Sequence, residues 1–201
     1  RDGTPVPAGA VTLKLVYILL SWGVMNFVPD LLLCAADGVL LGVDRDTRRR
    51  LSERGLKLQP GHPRLLWGLG IAKGRLATSR GVIASVRSAK EIEDAWLQVV
   101  ASDYRYSSLN GVEVIPCDTM VALGMFYRLV PDWWIVKLIA GTRGDIDKSI
   151  AWLQKANTCR PNGIGTLKEL GVSYLCKADR DDDKDALAEG NKQLKAALAL
   201  T

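Results

Sequence analysis

The stretch that decides the fold is LGVSY at residues 170–174, because it recurs upstream as LGMFY at residues 123–127. A weaker copy without the tyrosine, LGIAK, stands at residues 69–73. Glycine in a helix lets a neighbouring helix approach closely, while the leucine and tyrosine fill the space on either side. The recurrence therefore predicts three similar helices, each packed closely against a partner helix.

A second pattern follows each copy after 18 to 25 residues, measured from the glycine: a small residue, a large one four positions on, and a small one three positions later. Its members are Ser88, Ile92 and Ala95; Ser149, Leu153 and Ala156; and Gly190, Leu194 and Ala197. Pro60 precedes Gly70 by the same ten residues that separate Pro161 from Gly171. Because proline cannot continue a helix interior, each marks the turn before a new helix pair.

These phased patterns resemble the tetratricopeptide repeat (TPR) over residues 47–200. The resemblance implies an all-α superhelix of antiparallel helix pairs. The standard repeat separates the two motifs by about 12 residues, so we predict an insertion in the turn inside each pair, near residues 77–83, 130–144 and 178–185. We expect the second insertion to form a short packed helix and the third to form a solvated loop.

We accordingly predict a single TPR-like domain over residues 1–201, with diverged N-terminal helices over 1–57 and three repeats over 58–201. The predicted helices are 9–27, 30–42, 47–57, 62–76, 84–101, 114–129, 145–158, 163–177 and 184–200.

Three segments are similar to a narrower branch, which includes the T component of TRAP transporters and the regulators of microtubule dynamics. They are residues 66–74 (LWGLGIAKG), 127–134 (YRLVPDWW) and 144–161 (GDIDKSIAWLQKANTCRP). This resemblance implies an alternative function, a carrier that binds an elongated apolar or acidic small molecule. It would also imply a periplasmic or membrane-associated location.

The TPR resemblance implies that set positions of the first helix of each pair line a concave groove. They are Arg64, Trp67, Ile71, Gly74, Asp118, Val121, Met125, Arg128, Gly165, Lys168, Val172 and Leu175. The clamp that grips chaperone C-termini needs Lys and Asn where Trp67 and Ile71 stand, so chaperone tails are not expected here. An apolar groove flanked by Arg and Lys suits an amphipathic helix of a partner protein. In that interpretation Trp67 and Met125 are anchors, and Arg64 and Arg128 bind acidic groups.

The aromatic residues leave an alternative open. Trp67 and Met125 could equally belong to the core. For Trp133 and Trp134 we favour a core position, covered by the inserted segment.

Composition and charge do not point to catalysis. The net charge of +5 is spread along the chain, which does not predict nucleic-acid binding. With His62 as the single histidine and no CxxC spacing, we predict no enzyme activity, no cofactor and no metal site. Asp44 and Asp46 have the spacing of a phosphatase nucleophile and acid, but a helix N-terminus explains them better.

The most apolar stretch, residues 15–28, is shorter than the roughly 20 residues of a membrane-spanning helix, so we expect a buried helix. Membrane association would then need a missing N-terminal anchor or another subunit. A disulfide between Cys159 and Cys176 is not expected, because the intervening helix separates them by roughly 20 Å.

Overall fold

The structure is a computed structural model that describes residues 45–80, 82–108 and 110–201. The described helices are α1 (Arg45–Leu58), α2 (Pro63–Arg80), α3 (Val82–Ala101), α4 (Cys117–Leu129), α5 (Trp134–Ala140), α6 (Ile146–Cys159), α7 (Ile164–Asp181) and α8 (Lys184–Leu198). Strands β1 (Tyr106–Ser107) and β2 (Glu113–Ile115), which the sequence patterns did not predict, pair antiparallel between α3 and α4. The predicted helices at 9–27 and 30–42, the apolar stretch at 15–28 and Asp44 lie outside the described residues.

The helices pack in consecutive antiparallel pairs, and this confirms the predicted all-α, TPR-like superhelix. α2 packs on α3, α4 on α6 and α7 on α8, while α1 packs against α2. The second helix of each pair also contacts the first helix of the next, as α3 does with α4 and α6 with α7. None of the described helices is long and apolar enough to cross a membrane.

The glycines of the repeated motif mark the closest helix crossings. A Cβ atom added at Gly124 would lie 2.4 Å from Cγ of Leu153, a fully buried residue of α6. At Gly171 it would lie 2.7 Å from Cγ of Leu194 on α8. Both distances are far below van der Waals contact. At these two crossings the two motifs therefore meet as the sequence predicts, with the large residue of the second helix packed on the glycine of the first.

The first repeat departs from this register by one helical turn. Gly70 faces Trp96, whose Nε1 would lie 2.2 Å from an added Cβ, and Ile92 does not take that place. Ile92 and Trp96 are four residues apart on α3 and both are buried, so they lie on the same helix face. The assignment of Ser88, Ile92 and Ala95 to the motif was wrong by one turn.

The tyrosines of the motif connect each repeat to the helix that precedes it. The Tyr127 hydroxyl donates to the Glu93 carboxylate of α3 at 2.7 Å, in a buried position. The Tyr174 hydroxyl accepts from Nε2 of Gln154, on α6, at 2.8 Å. Burial, followed by the hydrogen bond to Glu93, raises the pKa of Tyr127, so this hydroxyl stays a donor.

The insertions mainly lengthen helices or add one. α2 reaches Arg80 and α3 begins at Val82, so the first insertion extends this pair. The solvated loop predicted at 178–185 was wrong, because α7 continues to Asp181. Asp182, with φ 51°, ends the helix, and the Asp183 carboxylate accepts from the backbone N–H of Ala186 at 3.0 Å to cap α8. The second insertion contains α5, the predicted short helix, which packs mainly on α3.

We expect Gly124→Ala to lower the free energy of unfolding by about 1–3 kcal/mol, because the new methyl group overpacks the crossing with Leu153. Gly165→Ala is the matched control: this glycine also lies in a helix, but an added Cβ meets nothing within 4 Å. There alanine should add up to about 1 kcal/mol through helix propensity. Urea denaturation of both variants tests the crossing, and a gain in stability at both positions would contradict it.

Candidate partner-binding groove

The predicted groove positions lie on α2, α4 and α7, the first helices of the three pairs. Several apolar side chains among them are partly exposed, so they are neither fully core nor fully solvated; we call this set the candidate groove. Its members are Trp67, Ile71, Val121, Met125 and Val172.

Trp67 and Ile71 are joined to the core from their inner sides. Both pack against the buried cluster that includes Trp96 and Phe126, and Trp67 also contacts a second cluster around Val99. The Trp67 carbonyl accepts from Nε1 of Trp96 at 3.4 Å. The indole N–H of Trp67 itself is buried and has no acceptor among the described residues. The exposed part of Trp67 therefore does not include its indole N–H.

Val121, on α4, contacts a different part of the core. It packs against the buried cluster formed by Ile146, Ile150, Leu153 and Leu170. Partly exposed apolar side chains thus occur at predicted groove positions on both α2 and α4.

Arg64 is held at one end of the candidate groove by the small sheet. Its guanidinium carbon lies 3.9 Å from the centre of the Tyr106 ring, and Nη2 donates to the Tyr106 hydroxyl at 3.0 Å. Stacking on an aromatic ring is a stable position for arginine. Tyr106 lies on β1, which the sequence patterns did not predict, so this contact could not be predicted either.

Arg128, which the sequence analysis expected to bind acidic groups of a partner, forms an ion pair within the chain. Its Nη2 pairs with the Glu169 carboxylate of α7, and Nη1 donates to the Glu169 carbonyl at 3.3 Å. The two side chains are only 12% and 11% exposed. Lys168 Nζ lies 2.9 Å from the other Glu169 oxygen but is itself largely exposed. Glu169 is the residue that sequence reasoning missed, since it precedes the Leu-Gly motif without being part of it.

The Trp133–Trp134 pair is not in the core, contrary to our expectation. Their side chains are 63% and 73% exposed, because α5 turns Val136 and Ala140 towards α3 and leaves the tryptophans outside. The insertion therefore does not bury its own aromatic residues.

A disulfide links the start of α4 to the end of α6, a pair that the sequence analysis did not consider. Cys117 and Cys159 have Cα atoms 5.5 Å apart, while Cys176 is a free, exposed thiol. An antiparallel pair places the first residue of one helix beside the last residue of the other, and this spacing could have revealed the bond. Glu113 lies within 4.8 Å of both sulfur atoms, but neither sulfur is available as a thiolate ligand in the disulfide.

The residues that the sequence analysis considered for catalysis, His62 and Asp46, make structural contacts. His62 packs edge-on against Tyr104, with ring centres 5.4 Å apart. Asp46 lies in the first turn of α1 and pairs with Arg49 at 2.9 Å.

The chain is similar in fold to solved structures of MamA, a helical TPR-like repeat protein. One MamA crystal structure superposes with a TM-score of 0.59 at 16% identity, over 96% of this chain and 87% of MamA. The MamA RS-1 ArsTM double mutant gives 0.56 at 16% identity, over 98% and 97% of the two chains. No protein-family model and no curated protein matches the chain. The likeness shows a TPR-like fold, and it does not support the narrower resemblance to the TRAP T component.

Proposed function

We propose that this chain is a non-catalytic scaffold that binds an amphipathic helix or peptide of a partner protein in the candidate groove. The observation that carries the proposal is the set of partly exposed apolar side chains on successive first helices, led by Trp67 and Met125. Helix-in-groove recognition uses such a row of apolar contacts, since each turn of the bound helix fills one site.

The charges around the candidate groove refine the expected partner. Arg128 is already neutralised by Glu169, so it contributes little attraction for an acidic peptide. Lys168 is exposed at the same end, and Arg64 lies at the other. We therefore propose a mainly apolar recognition face with acidic groups, if present, at its ends. The proposal assigns no catalytic residue and no cofactor.

The disulfide supports an oxidising compartment for the protein. Disulfides persist in secreted and periplasmic proteins and are rare where thiols are kept reduced. We propose such a compartment on this ground.

Trp67→Ala should weaken binding of the partner by about 1 kcal/mol or more, roughly fivefold in Kd, as loss of an interface anchor does. The partner is first captured with the wild-type chain, identified by mass spectrometry and then titrated by isothermal calorimetry against both proteins.

Because Trp67 also contacts the core, a second variant separates binding from folding. Met125→Glu places a charge in the candidate groove, and Leu198→Glu places the same charge outside it, at an exposed position on α8. Weaker binding by Met125→Glu alone supports the groove. Unchanged affinity in both Trp67→Ala and Met125→Glu would exclude it.

The alternative carrier function would require the insertions to roof the groove into a tunnel. Instead α5 packs mainly on α3 and presents its own apolar side chains outward, so no observation favours it. Native mass spectrometry distinguishes the two functions, because a carrier would show a mass excess that disappears on denaturation.

A further inference from the structure

Exposed apolar side chains are concentrated on the inserted segment around α5. Within seven residues the chain exposes five large apolar side chains, of which Leu138, at 74%, is the most exposed. We call this set the apolar ridge: Trp133, Trp134, Ile135, Leu138 and Ile139. Contiguous exposed patches of this kind mark interaction sites in soluble proteins.

The two faces of α5 explain how the apolar ridge arises. At about 100° per residue, Trp134, Ile135, Leu138 and Ile139 fall within an arc of about 140°. The centre of this arc lies about 150° from that of Val136 and Ala140, which are buried. An ordinary surface helix turns polar residues outward. α5 is apolar on both its inner and its outer face, and packing among the described residues explains only the inner one.

The segment is held in place and is not a loose loop. Val136 and Ala140 join the core cluster that contains Trp96 and Phe126. The two ends of the insertion meet, since the backbone N–H of Asp145 donates to the carbonyl of Tyr127 at 2.8 Å. Gly141, with φ 73°, ends α5 and donates to the Lys137 carbonyl at 2.9 Å. The apolar ridge is therefore a preformed, outward-facing feature.

Cationic groups lie at the edges of the apolar ridge. Lys137 falls on the flank of α5, between its two faces, is exposed and has no acidic partner among the described residues. Arg143 follows the helix and lies 3.3 Å from Asp132. A lysine beside an apolar face can extend its stem along that face and keep its ammonium group at the polar boundary.

We propose that the apolar ridge inserts into the interfacial layer of a membrane that contains anionic lipids. Tryptophan is enriched at this layer, where its ring lies at the level of the headgroups. Helices that lie in the interface bury an apolar face and place Lys or Arg at its edge, where anionic headgroups attract them. The apolar ridge has this arrangement, because its tryptophans and aliphatic side chains form the apolar face and Lys137 lies at its edge.

A lipid surface fits these observations better than a second protein does. The apolar arc is wide and projects outward, which a fluid layer accommodates without a matching groove. Lys137, on the flank of α5, would reach headgroup phosphates at the edge of the inserted face.

The test uses the full chain and vesicles of phosphatidylcholine with a minor share of phosphatidylglycerol, prepared with and without brominated phosphatidylcholine, which quenches tryptophan in the bilayer. The wild-type chain should co-sediment with the vesicles and be quenched by the brominated lipid. Trp133→Phe/Trp134→Phe keeps an apolar ridge but removes these reporters, so it should bind and lose most of the quenching. This readout reports on position, so membrane contact elsewhere in the chain would not imitate it.

A second variant tests affinity. Trp134→Ser/Leu138→Ser should weaken vesicle partitioning by at least about tenfold, in proportion to the apolar area lost. Leu198→Ser, which alters a residue 72% exposed on α8, should leave it unchanged. Circular dichroism confirms that each variant is folded.

Three outcomes would overturn the proposal: no vesicle binding by the wild-type chain, equal quenching in wild type and Trp133→Phe/Trp134→Phe, or full vesicle binding by folded Trp134→Ser/Leu138→Ser. Sedimentation velocity measures self-association and so tests whether the apolar ridge is instead a protein interface. If the serine variant loses self-association while the wild-type chain ignores vesicles, the apolar ridge is a protein interface and the membrane proposal is wrong.

Discussion

Replacing both Cys117 and Cys159 with serine is expected to lower the free energy of unfolding by about 4 kcal/mol. The disulfide closes a segment of 42 residues between the start of α4 and the end of α6, and cross-links of that span restrict the unfolded chain by about this amount. Urea denaturation of the double variant and of the wild-type chain, with and without reductant, measures the difference.

The free thiol supplies the control for this experiment. Cys176→Ser removes an exposed, unbonded cysteine and should leave the urea midpoint unchanged. Peptide mapping under non-reducing conditions should find Cys117 and Cys159 in one linked product. Equal midpoints for the reduced and oxidised wild-type protein would show that the bond does not stabilise the fold.

Glu169→Gln is expected to cost about 3 kcal/mol of stability, near the lower end of the range for breaking a buried ion pair. The substitution keeps the size of the side chain but leaves the charge of Arg128 buried without a counter-charge, at a site where both side chains are about nine-tenths buried. Arg128→Met/Glu169→Met should recover a large part of the loss, because it removes both charges together. Chemical denaturation of Arg128→Met, Glu169→Met and the variant that carries both substitutions forms a double-mutant cycle for this pair.

An exposed ion pair serves as a control for the effect of burial on the loss of stability. Lys192 and Glu189 on α8 lie 3.0 Å apart, but the Lys192 side chain is 72% exposed. Glu189→Gln should therefore change the free energy of unfolding by less than about 1 kcal/mol. If Glu169→Gln were equally mild, the contact between α4 and α7 would not contribute to stability as we infer.

The same ion pair predicts a pH dependence. Burial alone would raise the pKa of Glu169, but hydrogen bonds from Lys168 and Arg128, together with their charges, outweigh it and hold the pKa below its ordinary value of 4.5. A depressed folded-state pKa gives stability that is present above the unfolded-state value and is lost as the pH falls through the folded-state value. The difference in unfolding free energy between wild type and Glu169→Gln should thus shrink below pH 4.5.

The sequence predicted more of the fold than of the candidate site. Gly124 and Gly171 were placed correctly at helix crossings because a glycine in such a helix implies a close neighbour, and its spacing to Leu153 and Leu194 identifies that neighbour. In the first repeat the same reasoning selected Ile92 and missed Trp96. Both residues lie on one face of α3, so periodicity alone cannot decide which of them reaches Gly70.

In the candidate site, too, periodicity placed residues on helices but did not predict their contacts. Trp67 and Met125 were named from their position in a repeat, and the structure leaves them partly exposed, which agrees with either of the two interpretations the sequence had left open. The ion pair of Arg128 was not predicted, because its partner Glu169 is 41 residues away and no local pattern connects the two.

What the sequence determined by itself is the local and periodic part of this protein: helices, their pairing and the glycines at which they cross. These follow from repeat spacing, because residues that share a helix face recur every three or four positions. Only the tertiary structure decided which charges neutralise each other, that Cys117 meets Cys159, and that Trp133 and Trp134 face outward. Each of those depends on how separate elements are placed in space, and a side chain has the same identity in the sequence whether its neighbour is solvent, a sulfur atom or a carboxylate.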